Sequence, residues 1–156
     1  MKLLFIVNSL SYFVSHRMPI AETLIAKGFD VFVGYGETGD VNTNLLKEKG
    51  LKIYSIPMNR GGTNLLEEIK TVYSLWKLLK KVRPDILHLV TIKPYLYGGI
   101  LARIVQVPCV VSAVAGLGSL FIQNSFKNRF FRTLLYPIYK FALSHRNQCV
   151  IVQNKE

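Results

Sequence analysis

Residues 84–121 read PDILHLVTIKPYLYGGILARIVQVPCVVSAVAGLGSLF, and the fold depends on how this stretch divides. Two apolar runs lie inside it, 86–90 (ILHLV) and 109–114 (CVVSAV). Neither alternates polar with apolar residues, which is the pattern of strands buried on both faces of a parallel sheet. Lys93-Pro94 marks a loop after the first run, and a helix over about 95–105 fills the space before the second. Gly116-Leu117-Gly118 follows the second run. A strand, a helix and a second strand of this kind make a right-handed βαβ unit. The loops that leave such strands are where α/β proteins place their chemistry.

The same alternation extends in both directions. Strands are expected at 2–7 (KLLFIV), 30–35 (DVFVGY), 51–56 (LKIYSI) and 148–153 (QCVIVQ). Asn8-Ser9-Leu10-Ser11 reads as the loop after the first strand. A helix over 14–27 then turns Ile20, Leu24 and Ile25 inward and stops at Gly28. A short helix over 41–49 ends at Gly50. A long one starts at a Thr63 cap and places Leu65, Leu66, Ile69, Val72, Tyr73, Trp76 and Leu79 roughly on one face. Its basic last turn suits the helix dipole, and Pro84 ends it. The last helical region spans about 125–144. Strict alternation of strand and helix predicts an α/β, doubly wound parallel sheet, Rossmann-like, in the order 3-2-1-4-5-6. Its switch point lies between strands one and four. Residues 8–13 and 91–94 then line the crevice, with 115–120 beside them.

The chain has 156 residues, enough for one domain with a real core, and half of them are hydrophobic. The formal charge is +11 and is unevenly placed. Residues 1–85 hold 12 Lys/Arg against 8 Asp/Glu, whereas residues 86–156 hold 8 against the single Glu156. Such a field favours phosphates, nucleic acid or an anionic membrane. Cys109 and Cys149 share no CxxC spacing and read as reduced core residues of expected strands. MKLLFIVNSL lacks the cleavage site of a signal peptide. The uncharged run 104–126 contains Gln106, Pro108, Gly116, Gly118, Gln123 and Asn124, and fits a buried strand with a glycine turn better than a membrane span. The chain stops directly after the sixth strand, which is expected of a piece of something longer.

Residues 34–39 spell G-x-G-x-x-G, but after the second strand and with no acid about 20 residues on, so a plain glycine-rich connection is the reading. Lys93 is either a diphosphate ligand, held extended by Pro94, or a solvated lysine. Gly116 and Gly118 either approach a ligand or make a tight turn. His16 and Arg17 are placed at the start of the first helix, as anion ligands or as a surface pair. His88 reads as a core histidine, and three scattered histidines without an acid cluster give no metal site. Residues 121–141 interleave seven aromatic rings with Lys127, Arg129, Arg132 and Lys140. They suit an anionic bilayer, single-stranded nucleic acid, or packing on the sheet. No nucleophile elbow, Walker A sequence or carboxylate pair falls at the crevice loops, so the residues alone describe a binding half-site.

Two segments, KLLFIVNSLSYFVSHRMPIAETLIAKGFDVFV (2–33) and RGGTNLLEEIKTVYSLWKLLKKVRPDILHLVTIKPYLYGGILARIVQVPCVVSAVAGLGSLF (60–121), carry a resemblance. The chain resembles the N-terminal, acceptor-side domain of GT-B glycosyltransferases of family 4. It is similar to members that extend undecaprenyl-diphosphate-linked sugars in bacterial surface-polysaccharide assembly. The resemblance implies that residues 1–156 form an acceptor-binding domain, inactive alone. The nucleotide-sugar domain and the family's paired glutamates would lie beyond it. It implies a retaining, metal-independent transfer from a UDP-sugar, with no cofactor. The partners are the nucleotide sugar, a lipid-diphosphate-linked glycan and an anionic membrane surface, with no nucleic acid. The location would be cytoplasmic, peripheral on the inner face of the membrane. Carried onto this sequence, it puts Ser9, Ser11, Tyr12, Phe13, His16, Thr91, Lys93 and Pro94 on the acceptor side, with Gly116 and Gly118 nearby. The membrane-facing residues would be Lys127, Arg129, Phe130, Arg132 and Lys140. Many members have a Gly-Gly turn where this chain has Asn8-Ser9-Leu10-Ser11, so a donor contact there is not implied. The rival readings are a stand-alone nucleotide-binding oxidoreductase resting on residues 34–39, and a basic nucleic-acid-binding module.

Overall fold

The computed structural model describes residues 1–59, 64–114 and 136–152. All six expected strands form: β1 (Lys2–Ser9), β2 (Asp30–Glu37), β3 (Lys52–Ser55), β4 (Ile86–Val90), β5 (Cys109–Val114) and β6 (Gln148–Val152). They join one parallel sheet in the order β3-β2-β1-β4-β5-β6, so strand order reverses between β1 and β4. The register there pairs Leu3 with Ile86 and Ile6 with Leu89.

The helices divide between the two faces. On one face α4 (Leu65–Val82) and α5 (Ile92–Ile104) cover Leu4, Ile6, Leu87, Leu89 and Val110. On the other, α1 (Leu10–His16), α2 (Met18–Ala26) and α3 (Thr43–Glu48) cover Leu3, Phe5, Val7, Val31 and Val33. Leu4, Phe5, Ile6, Leu87 and Leu89 are wholly inaccessible. Each such side chain contributes roughly 1.5–3 kcal/mol by leaving water.

The first helix differs from expectation in a way Pro19 explains. It starts at Leu10 and divides at Arg17 into α1 and α2. In one continuous helix the Pro19 ring would strike the carbonyl of Ser15, whereas near the start of a new helix it is tolerated. Asn8 and Ser9 therefore end β1, Leu10 and Ser11 open α1, and no free loop separates them. Ile20 is exposed rather than inward.

The long helix also departs. Its cap is Asn64, whose side chain accepts from the Leu66 N–H at 3.1 Å; Thr63 lies outside the described residues. Its buried face is Thr71, Leu75, Leu78, Leu79 and Val82. Leu65, Leu66, Ile69, Tyr73 and Trp76 point outward. The helix thus has two apolar stripes, and the wider one was the wrong choice for the core.

Cys149 corrects the reading of two core cysteines: it is exposed on edge strand β6, while Cys109 is half-buried. Residues 136–142 are helical and lie against α5, where the backbone of Ala142 occupies the space a Cβ on Gly99 would take. Among the described residues no helix is long and apolar enough to cross a membrane.

Candidate functional site at the strand carboxyl ends

Asn8 and Thr91 flank the switch point, each two residues beyond the last β1–β4 pair, Ile6 and Leu89. Both are half-buried, and Asn8 Oδ1 and Thr91 Oγ1 are buried atoms with no hydrogen-bond partner among the described residues. An unpaired buried acceptor or hydroxyl costs about 1–3 kcal/mol, so two together at a crevice call for a polar ligand. Thr91 also has φ 75° and ψ 168°. That backbone region is close to glycine-only, and a β-branched residue there carries about 1–3 kcal/mol of strain. The strain turns the chain sharply from β4 into α5, whose fourth residue, Tyr95, donates its N–H to the Thr91 carbonyl at 3.1 Å.

Lys93 and Pro94 lie in the first turn of α5 rather than in a loop. Pro94 is buried and its missing N–H falls where a helix leaves donors unpaired, so its role is structural. Lys93 Nζ reaches Glu68 Oε1 of α4 at 2.5 Å, and the Tyr97 hydroxyl donates to Glu68 Oε2 at 2.7 Å. The reading of a solvated lysine is thereby corrected. Glu68 compensates it, and an arriving anion must share Lys93 with that carboxylate. Burial, then the Glu68 carboxylate, raises the Tyr97 phenol well above its ordinary value, so Tyr97 stays a donor.

Around this centre the expected residues separate. Ser9 caps α1 without a side-chain capping bond and is half-buried. Ser11, two residues on, is exposed and faces Gly39 of the loop after β2. Tyr12 is half-buried, and its ring stacks on His16 at 4.2 Å between centroids. His16 closes α1 instead of opening it, roughly 9 Å of helical rise below the crevice. Ser15 Oγ lies 2.6 Å from its Nδ1. Phe13 is removed from the set: it is wholly buried, edge-on to Phe5 at 5.3 Å, and cannot touch an acceptor. Gly116, Gly118, Lys127, Arg129, Phe130 and Arg132 lie outside the described residues. Lys140 is exposed on the 136–142 helix, where Tyr139 and Ala142 pack inward and Tyr136 and Phe141 do not.

Arg17 is no surface partner of His16. It is buried under the sheet at the break between α1 and α2, with Nε and Nη2 unpaired among the described residues. Burial, and secondarily the Arg17 charge, lower the His88 pKa to about 4, so His88 is a neutral core residue, its ring tilted against Phe5. The G-x-G-x-x-G segment is not a phosphate loop. Gly34 and Gly36 lie inside β2, where side chains would collide with Ile6, Ile56 and Leu78, or with the backbone oxygens of Asn8 and Met58. Among the described residues no group of three His, Cys, Asp or Glu could hold a metal.

Sequence reasoning missed Glu68 and Tyr97 as members of the site, and it placed Asn8 in the crevice without naming it as a ligand. Glu68 was legible only as a first-turn acid suited to the helix dipole, and its register against α5 is tertiary information.

Comparison with known proteins adds a family to this geometry. The profile described as "Glycosyl transferase 4-like" matches residues 2–154. The chain is 29% identical over 136 residues to N,N'-diacetylbacillosaminyl-diphospho-undecaprenol alpha-1,3-N-acetylgalactosaminyltransferase of Campylobacter jejuni, covering 87% of this chain and 36% of that protein. It is 34% identical over 95 residues to UDP-Gal:alpha-D-GlcNAc-diphosphoundecaprenol alpha-1,3-galactosyltransferase of Escherichia coli, covering 61% of this chain and 24% of that protein. The chain thus spans about a third or less of the length of these curated relatives. Among solved structures, MurG of Acinetobacter baumannii aligns with TM-score 0.57 at 20% identity, over 74% of this chain and 36% of that one, which is a likeness of fold alone.

Proposed function

The chain belongs to the glycosyl transferase 4-like family, and from that premise we propose that it is the acceptor-binding half of a glycosyltransferase. The donor is a nucleotide sugar, UDP-linked, and the acceptor is a lipid-diphosphate-linked glycan of bacterial surface-polysaccharide assembly. The printed names of both relatives support this reading, since each describes transfer to an undecaprenyl-diphosphate-linked sugar. The observation in this chain that carries it is the pair of unpartnered buried oxygens, Asn8 Oδ1 and Thr91 Oγ1, at the switch point. Hydroxyl-rich ligands satisfy such atoms, and open α/β sheets bind ligands there.

In this account Asn8 accepts from an acceptor hydroxyl, and Thr91 exchanges hydrogen bonds with another. Lys93, shared with Glu68, faces the acceptor's diphosphate. Asn8 and Thr91 offer hydrogen bonds and no titrating group, so the crevice orients the acceptor rather than activating it. Donor binding and the reacting centre belong to the rest of the protein, and residues 1–156 alone do not turn over. The transfer is retaining and needs no cofactor or metal. The enzyme works at the inner face of the membrane.

The test is transfer of radiolabel from UDP-sugars to an undecaprenyl-diphosphate-linked saccharide by the whole protein that carries this chain. Labelled lipid product is expected. Tight NAD(P) binding, or salt-sensitive oligonucleotide binding without any transfer, would contradict the proposal.

A further inference from the structure

We propose that the protein binds a phosphate-bearing small molecule of nucleotide size at the amino ends of β5 and β6, the end of the sheet opposite the crevice. A cavity of about 770 Å³ opens there between the last turn of α5, the 136–142 helix and the loop that leads into β6. Arg103, Phe141, His145, Arg146 and Asn147 line it, and every residue of the lining is described. Its size and concave form are those of a small-molecule site. The length of α5, 13 residues or about 20 Å, separates it from Thr91 and Lys93, so an occupant does not compete with the acceptor.

The charge of this cavity is uncompensated. Residues 86–155 contain no Asp or Glu, and the single acid after them, Glu156, follows β6, whereas the cavity lies ahead of it. Asp85, at the amino end of β4, is taken by the Lys2 N–H at 2.7 Å. Among the described residues Arg103 and Arg146 make no ion pair. Arg103 Nη2 donates to a neutral partner, Ser144 Oγ, at 3.2 Å, and its Nε is a buried donor with no partner among the described residues. The negative end of α5 does not use the charge either. The carbonyls of Leu101, Ala102 and Arg103 accept from the N–H groups of Val105, Val107 and Gln106. An arginine cannot shed its proton, so these two keep their charge for an anion from outside the chain.

The side chains select a phosphate that carries an aromatic group. Guanidinium groups offer the planar fork that phosphate oxygens fit, and two of them line one cavity. His145 Nδ1 lies 3.2 Å from the Asn147 nitrogen; in the tautomer that accepts from this N–H, Nε2 carries the ring proton and adds a donor. The Arg103 guanidinium lies 4.4 Å over the Phe141 ring, and Phe141 remains 48% exposed, which leaves ring surface for a base to stack on. A bare inorganic anion would meet the arginines and leave the ring unused. The inference stands without the glycosyltransferase reading, which adds only that a nucleotide is at hand as part of the donor.

The experiment is calorimetric titration of the whole protein that carries this chain with adenosine monophosphate and with inorganic phosphate. Parental, Arg103→Gln and Arg146→Gln proteins are compared. The adenine nucleotide is used because the proposed donor is a uridine nucleotide. Arg103 also holds Ser144 and Phe141, whereas Arg146 is exposed and makes no ion pair among the described residues, so Arg146→Gln keeps the parental melting temperature. The parental protein is expected to bind adenosine monophosphate more tightly than phosphate, and each variant to lose about tenfold or more in that affinity. Sugar transfer by Arg146→Gln, measured without added adenosine monophosphate, should stay at the parental rate. Absence of parental binding would overturn the proposal. So would binding that both variants leave unchanged, which would assign it to the donor site, or phosphate binding as tight as that of the nucleotide. Binding with the expected losses in a protein that transfers no sugar would sink the glycosyltransferase reading and leave this site standing.

Discussion

Thr91 sits in backbone space that normally requires glycine, and its hydroxyl has no partner among the described residues, so the position costs stability twice. Thr91→Gly should relieve the strain and raise the melting temperature by a few degrees, about 1 kcal/mol, while transfer falls. A lower melting temperature would mean the threonine is there for packing. His88 gives a pH prediction with a definite sign. Its folded pKa is lowered to about 4, so between pH 6.5 and 4 the unfolded chain binds a proton that the folded chain does not. Stability therefore falls as pH drops through that window, by roughly 3 kcal/mol in full, and is unaffected above it. His88→Gln should flatten this part of a urea-midpoint profile. An unchanged slope would assign the acid sensitivity elsewhere. His88 was legible as a core residue because it interrupts an apolar run. Its neighbour Arg17 was not, since a basic residue beside His16 reads as surface until the helix breaks at Arg17 and turns it under the sheet.

Elements were read well where the period was unambiguous. The six strands and their order follow from short apolar runs separated by helical lengths, and parallel pairing is the main arrangement that buries both faces. Helix faces were harder. α4 carries two apolar stripes, and periodicity cannot say which meets the sheet; the burial of Leu75, Leu78 and Val82 decides it. Likewise 14–27 was read as part of one helix, whereas the segment divides at Arg17, just ahead of Pro19. The glycine pair of α5 makes an element-scale prediction. A side chain on Gly99 would meet the backbone of Ala142, which cannot yield as a side-chain tip does. Gly99→Val should cost about 1–3 kcal/mol in urea unfolding by pushing the 136–142 helix away from α5. No loss would show that the two helices part easily.

At the scale of the whole molecule, the crevice was legible before the side chains were, because the switch point follows from strand order alone. Its chemistry was half legible. Thr91 and Lys93 could be named from their place after β4, but the Glu68 carboxylate that shares Lys93 arrives from 25 residues upstream through the packing of α4 on α5. The account therefore predicts a crevice that reads the acceptor and leaves the donor to the remainder of the protein. The most direct test is steady-state kinetics of the whole enzyme, with KM resolved for each substrate, on Thr91→Val and Lys93→Gln. Each variant should raise KM for the lipid-linked acceptor about tenfold or more and leave KM for the nucleotide sugar within about twofold. A raised donor KM with an unchanged acceptor KM would contradict the account and give the crevice to the donor.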